Sequence, residues 1–245
     1  MDQEVQKPLH ILAKPEDISE RVVIAGDPAR VKQLAHMLDE AKLVNENRGF
    51  LTYTGYYRGN RVTVATHGIG GPSAAIVIEE LIMLGAKVMI RLGTAGGMVE
   101  GLKVGDVVIP YGAAHLDDAL LDMYVGDGHL PAVPHPDVLN ALIESANKLG
   151  LKYKLGVIFS SDAFYAEDPT FVKRWSSRGV IAVEMECATL FTLGLLRGIK
   201  TGALLVISDT LVKEPVKEML TAEELKKYVE KAAEVVLDAV IRVRS

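Results

Sequence analysis

Short runs of Val, Ile, Leu and Ala, bounded by polar or glycine residues, punctuate the 245-residue chain at 22–25, 62–66, 88–92, 107–110, 155–159, 181–183 and 203–207. Each is too short for a helix and aliphatic throughout, the pattern of strands buried on both faces. Between the runs, apolar residues recur at helical spacing, which predicts helices over 28–40, 72–84, 136–149, 187–197 and 221–243. The boundaries agree with local chemistry. Asp27 is placed to cap the first helix, with Pro28 at its first position. Gly85, Gly150 and Gly198 follow the next three helices, where a left-handed residue ends a helix. Thr221 and Glu224 have the spacing of a capping box.

Strands alternating with helices predict an α/β fold with a mainly parallel sheet covered on both faces. No linker composition or internal repeat divides the chain, so one domain over 1–245 is the simplest organisation. Residues 111–136, rich in Asp, Gly, Pro and His, are the best candidate for a surface excursion or lid. Composition sharpens the class. Hydrophobic residues make up 49% and aromatics only 6%, as expected for helices packed on a buried sheet. A net charge of −5 with scattered basic residues excludes the footprint of a dedicated nucleic-acid binder. A single cysteine, Cys187, excludes an internal disulfide framework and a cysteine-based zinc site. No stretch approaches the roughly 20 apolar residues of a membrane span, and the first residues carry acids rather than a signal-peptide core. A soluble, cytoplasmic protein is expected.

Ligands of open α/β sheets bind at the carboxyl ends of strands. Here those ends read Gly-Asp-Pro-Ala-Arg (26–30), His-Gly-Ile-Gly-Gly-Pro-Ser (67–73), Gly-Thr-Ala-Gly-Gly (93–97), Ser-Ser-Asp-Ala-Phe-Tyr (160–165), Glu-Met-Glu (184–186) and Ser-Asp (208–209). The turn at Gly26 presents backbone N–H groups suited to an anion, with Arg30 one helical turn on. Arg91 lies in an apolar strand and needs a buried carboxylate or a ligand. With Arg48 and the hydroxyl of Thr94, these arginines are candidates to hold phosphate through forked hydrogen bonds. Glu184 and Glu186 could grip vicinal hydroxyls, Asp209 is a candidate proton donor, and Phe164 with Tyr165 offers a ring face. Taken singly, each has a plainer reading: Arg30, Arg48 and His10 as surface residues, the glutamates as helix-start acids, Asp209 as a turn residue, the aromatics as core. The glycines after His67 do not complete a dinucleotide fingerprint, and no Walker-type Gly-Lys-Ser/Thr occurs.

Together, in order and spacing, these segments resemble the hexameric purine nucleoside and uridine phosphorylase family over nearly the whole chain. The resemblance implies a three-layer fold with a central mixed, largely parallel sheet flanked by helices. It implies phosphorolysis of purine nucleosides, 5′-methylthioadenosine among the candidates, with inorganic phosphate as co-substrate and neither cofactor nor metal. Phosphate would be held at Gly26, Arg30, Arg48, Arg91 and Thr94. Ribose would lie against Met185, Glu186 and His10, and the base against Phe164, Glu184 and Ser208. Asp209 matches the acid that protonates N7 of the purine. His10 and Arg48 match residues that reach a neighbouring subunit's site, which implies a homo-oligomer, usually a hexamer built as a trimer of dimers. The Gln-x-Arg by which the uridine branch reads a pyrimidine is missing from 166–170, which favours purines. The arginine that assists the acid in some purine enzymes has no counterpart near Thr221 and Ala222, leaving Asp209 alone or with a lysine such as Lys213. The alternatives are a uridine phosphorylase, a nucleosidase of the same fold that uses water, and a nucleoside-binding domain without activity.

Overall fold

The computed structural model describes residues 7–116, 119–165, 168–212 and 222–244, the side chains of 222–225 excepted. All seven aliphatic runs form strands. The first half of the chain holds β1 (Arg21–Ala25), α1 (Pro28–Ala35), β2 (Asp39–Asn45), β3 (Thr52–Tyr57), β4 (Asn60–Thr66), α2 (Gly71–Met83) and β5 (Val88–Gly97). There follow β6 (Val107–Ala114), α3 (Ala119–Val125), α4 (Pro136–Lys148), β7 (Lys154–Ser160) and α5 (Phe171–Ser176). The chain continues with β8 (Val180–Glu184), α6 (Cys187–Arg197), β9 (Lys200–Thr210) and α7 (Ala222–Arg242).

The sheet runs β2-β3-β4-β1-β5-β8-β7-β6-β9, and β9 also pairs with β5. Strands β5, β8, β7, β6 and β9 therefore close into a ring, from which β1, β4, β3 and β2 extend as an open ribbon. Pairings β1–β4, β1–β5, β5–β9, β6–β7 and β7–β8 are parallel, and the others antiparallel. The sheet is mixed and largely parallel, as expected.

Alternation along the strands builds two cores. Val23 and Ala25 of β1 and Leu204 and Val206 of β9 point to one face, under α1, α4 and α7. Val22, Ile24, Ala203, Leu205 and Ile207 point to the other, under α2 and α6. Strands covered on both faces need apolar residues at every position, which is why they read as unbroken runs. In α7, Val229, Ala232, Ala233, Val236 and Val240 recur at three- and four-residue spacing and are buried.

Some boundaries differ from the sequence reading. The helix from Pro28 ends at Ala35 rather than at 40, and the chain re-enters the sheet as β2. β2 and β3 have no aliphatic run, and α3 and α5 are too short to show a period. The proposed excursion at 111–136 begins as a continuation of β6 and contains α3. Residues 117, 118, 166 and 167, Lys213 and Thr221 lie outside the described residues. Among those described, no helix is long and apolar enough to cross a membrane.

Candidate active site at the strand ends

Sheet register brings the polar strand ends together. Gly96 of β5 is opposite Val183 of β8 on one side and Asp209 of β9 on the other. Asp209 thus lies across one strand from the Glu184–Glu186 segment. Ser160, at the end of β7, is opposite Glu184, and Arg91 lies between Ile24 of β1 and Ala203 of β9. Two glycines make the close approaches possible. A Cβ on Gly26 would sit 2.8 Å from the carbonyl oxygen of Gly68, where the β1 and β4 loops meet. A Cβ on Gly93 would fall within 1.8 Å of Arg91 Nη1, in the space the guanidinium occupies.

These ends surround a cavity of about 480 Å³. Of the residues singled out in the sequence, Gly26, Arg30, Arg91, Thr94, Phe164, Glu184, Met185, Glu186, Ser208 and Asp209 line it. Arg48 and His10 do not.

Arg91 is 4% exposed and ion-paired with Glu186, with Glu184 Oε2 at 3.4 Å from the same nitrogen. Both answers to an in-strand arginine hold at once, because it has buried carboxylate partners and also faces the cavity. Burial works against its charge, but Glu186, Cys187 and Glu184 outweigh that and raise its pKa. Glu186 also accepts a 2.7 Å hydrogen bond from the Gly70 N–H. Burial alone would raise its pKa, but Arg91 and the Gly70 N–H bring it below the usual carboxylate value. Glu184 goes the other way. Burial, reinforced by the charge of Glu186, raises it against the pull of Arg91.

Glu184 lines the same cavity as Phe164 and Ser208, the other residues expected beside a base, and its carboxylate is also bound to the protein. Its side chain is 1% exposed. Its carboxylate already accepts from Ser160 Oγ, from the Glu186 N–H at 2.8 Å and from the Cys187 N–H at 2.9 Å. Those bonds tie the start of α6 to the end of β7 and fix the backbone that carries Glu186.

Arg30 makes a 3.3 Å hydrogen bond from Nη1 to the Leu92 carbonyl. Burial lowers its pKa to about 10, with Asp27 opposing the fall and Arg91 adding to it. Its cation is poorly compensated, a state that favours an incoming anion. Asp209 is 8% exposed and accepts from Ser208 Oγ at 2.9 Å. Phe164 is 56% exposed, edge-on to Tyr165 with ring centroids 4.9 Å apart. An exposed aromatic pair beside a concave polar site offers a face to a flat ligand.

Three residues of the strand-end segments carry no role in the sequence reading: Ser161, Ile69 and His67. Ser161 and Ile69 line the cavity, the first buried and the second 78% exposed. His67 is fully buried, and neither ring nitrogen has a hydrogen-bond partner among the described residues. Burial, aided by Arg91, lowers its pKa to about 3, so the ring is neutral. Its place behind the site follows from tertiary contacts that no local pattern announces.

His10 and Arg48 meet elsewhere. Glu80 Oε1 accepts from the Leu9 N–H at 2.9 Å and from His10 Nδ1 at 2.7 Å. Glu80 Oε2 accepts from the N–H groups of His10 and Ile11 at 2.9 and 2.6 Å. Asn47 Nδ2 donates to the His10 carbonyl at 3.1 Å, which places the neighbouring Arg48 beside the same segment. Arg48 is exposed and holds a left-handed φ of 54°. Leu9 and Leu12 of this segment are 72% and 62% exposed.

A mixed sheet with cationic and carboxylate groups gathered around a cavity at its strand ends defines an α/β protein with a site of small-molecule size. The chain belongs to the phosphorylase superfamily, whose family model matches residues 20–242. It is 39% identical over 235 residues to a DeoD-type purine nucleoside phosphorylase of Clostridium perfringens, covering 95% of this chain and 98% of the relative. It is 36% identical to a guanosine phosphorylase of Halorubrum lacusprofundi, covering 94% and 97%. The crystal structure of a purine nucleoside phosphorylase from Toxoplasma gondii in complex with immucillin-H matches with a TM-score of 0.88 at 30% identity, over 99% of this chain and 98% of that one.

Proposed function

We propose that this protein cleaves purine nucleosides by phosphorolysis, giving the free base and ribose 1-phosphate or, from methylthioadenosine, its 5-methylthio form. The observation that carries the reading is that Arg30, Arg91, Thr94, Glu186 and Asp209 line one cavity. A nucleosidase has no anion to hold. A poorly compensated arginine at a glycine turn is best explained by phosphate, the co-substrate, and the scheme uses neither metal nor cofactor. The names of the similar proteins point the same way and favour purine over uridine.

In this scheme phosphate lies against Gly26, Arg30, Arg91 and Thr94. Glu186, held ionised by Arg91, accepts the ribose hydroxyls, Met185 packs on the sugar and Phe164 on the base. Glu184 serves by holding Glu186 rather than by touching the base. As the C1′–N9 bond breaks, positive charge develops on the sugar and negative charge on the purine. The phosphate dianion stabilises the first, and a proton from Asp209 to N7 neutralises the second. A phosphate oxygen then bonds to C1′. Alignment of both reactants in one cleft removes much of the entropic barrier.

His10 and Arg48 complete the scheme from a neighbouring subunit. They lie on two adjoining segments, that of His10 flanked by the exposed Leu9 and Leu12, and neither lines the cavity of its own chain. The assembly proposed is a homohexamer of three dimers, acting in the cytoplasm.

A panel of adenosine, inosine, guanosine, methylthioadenosine and uridine in phosphate buffer tests the substrate class. Turnover of at least one purine nucleoside, well above uridine, is expected. Uridine as the best substrate would overturn the purine assignment.

A further inference from the structure

Of the glycines at the strand ends, Gly26 and Gly93 are explained by the fold, because a side chain at either would collide with the protein. Gly96 is not. It lies inside β5, paired on both sides, and has none of the positive φ that calls for glycine. A Cβ there would meet Leu211 Cδ1 at 3.3 Å and Asp209 Oδ1 at 3.4 Å. Both atoms are the ends of side chains, and a shift of a few tenths of an ångström would admit a methyl group. Glycine inside a strand weakens it, and often marks a place where a ligand comes close to the backbone.

The surroundings of Gly96 fit a ligand. In register it stands between Val183 of β8 and Asp209 of β9, and all three line the cavity. The pairing of β5 with β9 shifts at this point. Ala95 is opposite Ile207 but Gly96 is opposite Asp209, which leaves Ser208 as the extra residue of a bulge. In an unbroken ladder Ser208 would be opposite Gly96, and Asp209 would fall opposite Gly97, on the other face. The bulge therefore brings the carboxyl beside a position of β5 that has no side chain. β5 also runs from one end of the site to the other. Arg91 and Thr94 are assigned to phosphate, and Gly96 follows Thr94 by two residues, about 7 Å along the strand.

We propose that Gly96 is the seat of the purine: the base lies against the β5 backbone in the gap between Val183 and Asp209, and the missing side chain lets its N7 reach the Asp209 carboxyl. The proposal rests on the phosphorolysis reading and makes Gly96 a specificity-determining position of the same site. A methyl group 3.4 Å from Oδ1 takes up space that a ring atom hydrogen-bonded to that carboxyl needs.

Gly96→Ala tests it in the full-length protein. The variant should keep or raise the thermal midpoint, since alanine suits a strand better than glycine. It should lower kcat/KM for purine nucleosides by about 10-fold or more, with KM for phosphate within about 2-fold of the unmodified protein. A smaller loss overturns the proposal. So does a midpoint lowered by more than about 5 °C, which would give the glycine to the fold. Calorimetric binding of adenine, hypoxanthine and guanine is the second measurement, because it needs neither phosphate nor turnover. At least one base should bind the unmodified protein and bind Gly96→Ala about 10-fold more weakly; equal binding overturns the seat. Should the unmodified protein turn over no purine nucleoside with phosphate while base binding still depends on Gly96, the phosphorolysis reading fails and the seat stands.

Discussion

A guanidinium enclosed by protein persists only beside negative charge, and Arg91 has Glu186 and Glu184 against it. Removing it would do more than weaken phosphate binding. Two buried carboxylates would lose their counter-ion, and Glu186 would take up a proton or turn aside. Arg91→Ala should therefore raise KM for phosphate and for nucleoside together and lower stability by roughly 3 kcal/mol. Steady-state kinetics with a denaturant titration would check this, and a rise confined to phosphate would reduce Arg91 to a simple anion ligand. Asp209→Asn keeps the shape and the Ser208 contact but has no acidic proton to give. It should lower kcat for purine nucleosides on the order of 10²-fold or more, and unchanged turnover would remove Asp209 from its role. Much of this site is legible in the sequence because strand ends are local features: a run stops, and the next polar residue is placed. What His67 and Glu80 do is not legible. His67 is an ordinary residue after a strand until Arg91 and Glu186 close over it. Glu80 is an ordinary helical acid until four groups some 70 residues away in the chain converge on it.

At the scale of elements, the closed ring is built from strands whose aliphatic runs declare them, whereas the ribbon's outer edge is silent. β2 reads Asp-Glu-Ala-Lys-Leu-Val-Asn and is exposed over most of its length. An edge strand gains by being charged, since charge discourages pairing with another chain, and the same charge hides it from a hydrophobicity pattern. The β3–β4 hairpin turns at Arg58 and Gly59, both with positive φ, a two-residue turn matched to strand twist. Arg58 then donates to Asp238 of α7 at 2.7 Å. Asp238 is 2% exposed and also accepts from Ser145 Oγ at 2.9 Å, Lys148 Nζ at 3.0 Å and Arg242 Nε at 2.6 Å. One carboxylate thus ties the hairpin, α4 and α7. Burial would raise its pKa, but Arg242, Lys148 and Ser145 together bring it down to about 2. A folded-state value below the ordinary 3.8 means that this stabilisation is complete above that ordinary value and is lost as pH falls towards 2. From the shift it amounts to about 2 kcal/mol. Asp238→Ala should lower the unfolding free energy at pH 7 by roughly 2 to 4 kcal/mol. The difference between variant and parent should shrink as pH falls from 4 to 2, with kcat at neutral pH little changed. A pH-independent difference in urea titrations would show that packing, not charge, is what Asp238 contributes.

At the scale of the whole molecule, Glu80 holds the segment of His10, and Asn47 ties it to the turn that carries the exposed Arg48. If two subunits exchange these residues, one site needs Asp209 from one chain and Arg48 from the other. Mixing Arg48→Ala subunits with Asp209→Asn subunits, after dissociation and reassembly, then restores one intact site in each mixed dimer. Activity well above either parent is expected, approaching a quarter of the unmodified specific activity when subunits associate at random. No gain on mixing would confine each site to its own chain.

The claim beneath all of these is that phosphate, not water, takes the sugar. The direct measurement is to follow a turned-over purine nucleoside by phosphorus NMR, alongside base release in phosphate-free buffer. The account predicts a sugar 1-phosphate resonance growing in step with free base, and negligible release when phosphate is withheld. Free sugar as the product, with base released equally fast without phosphate, would contradict it.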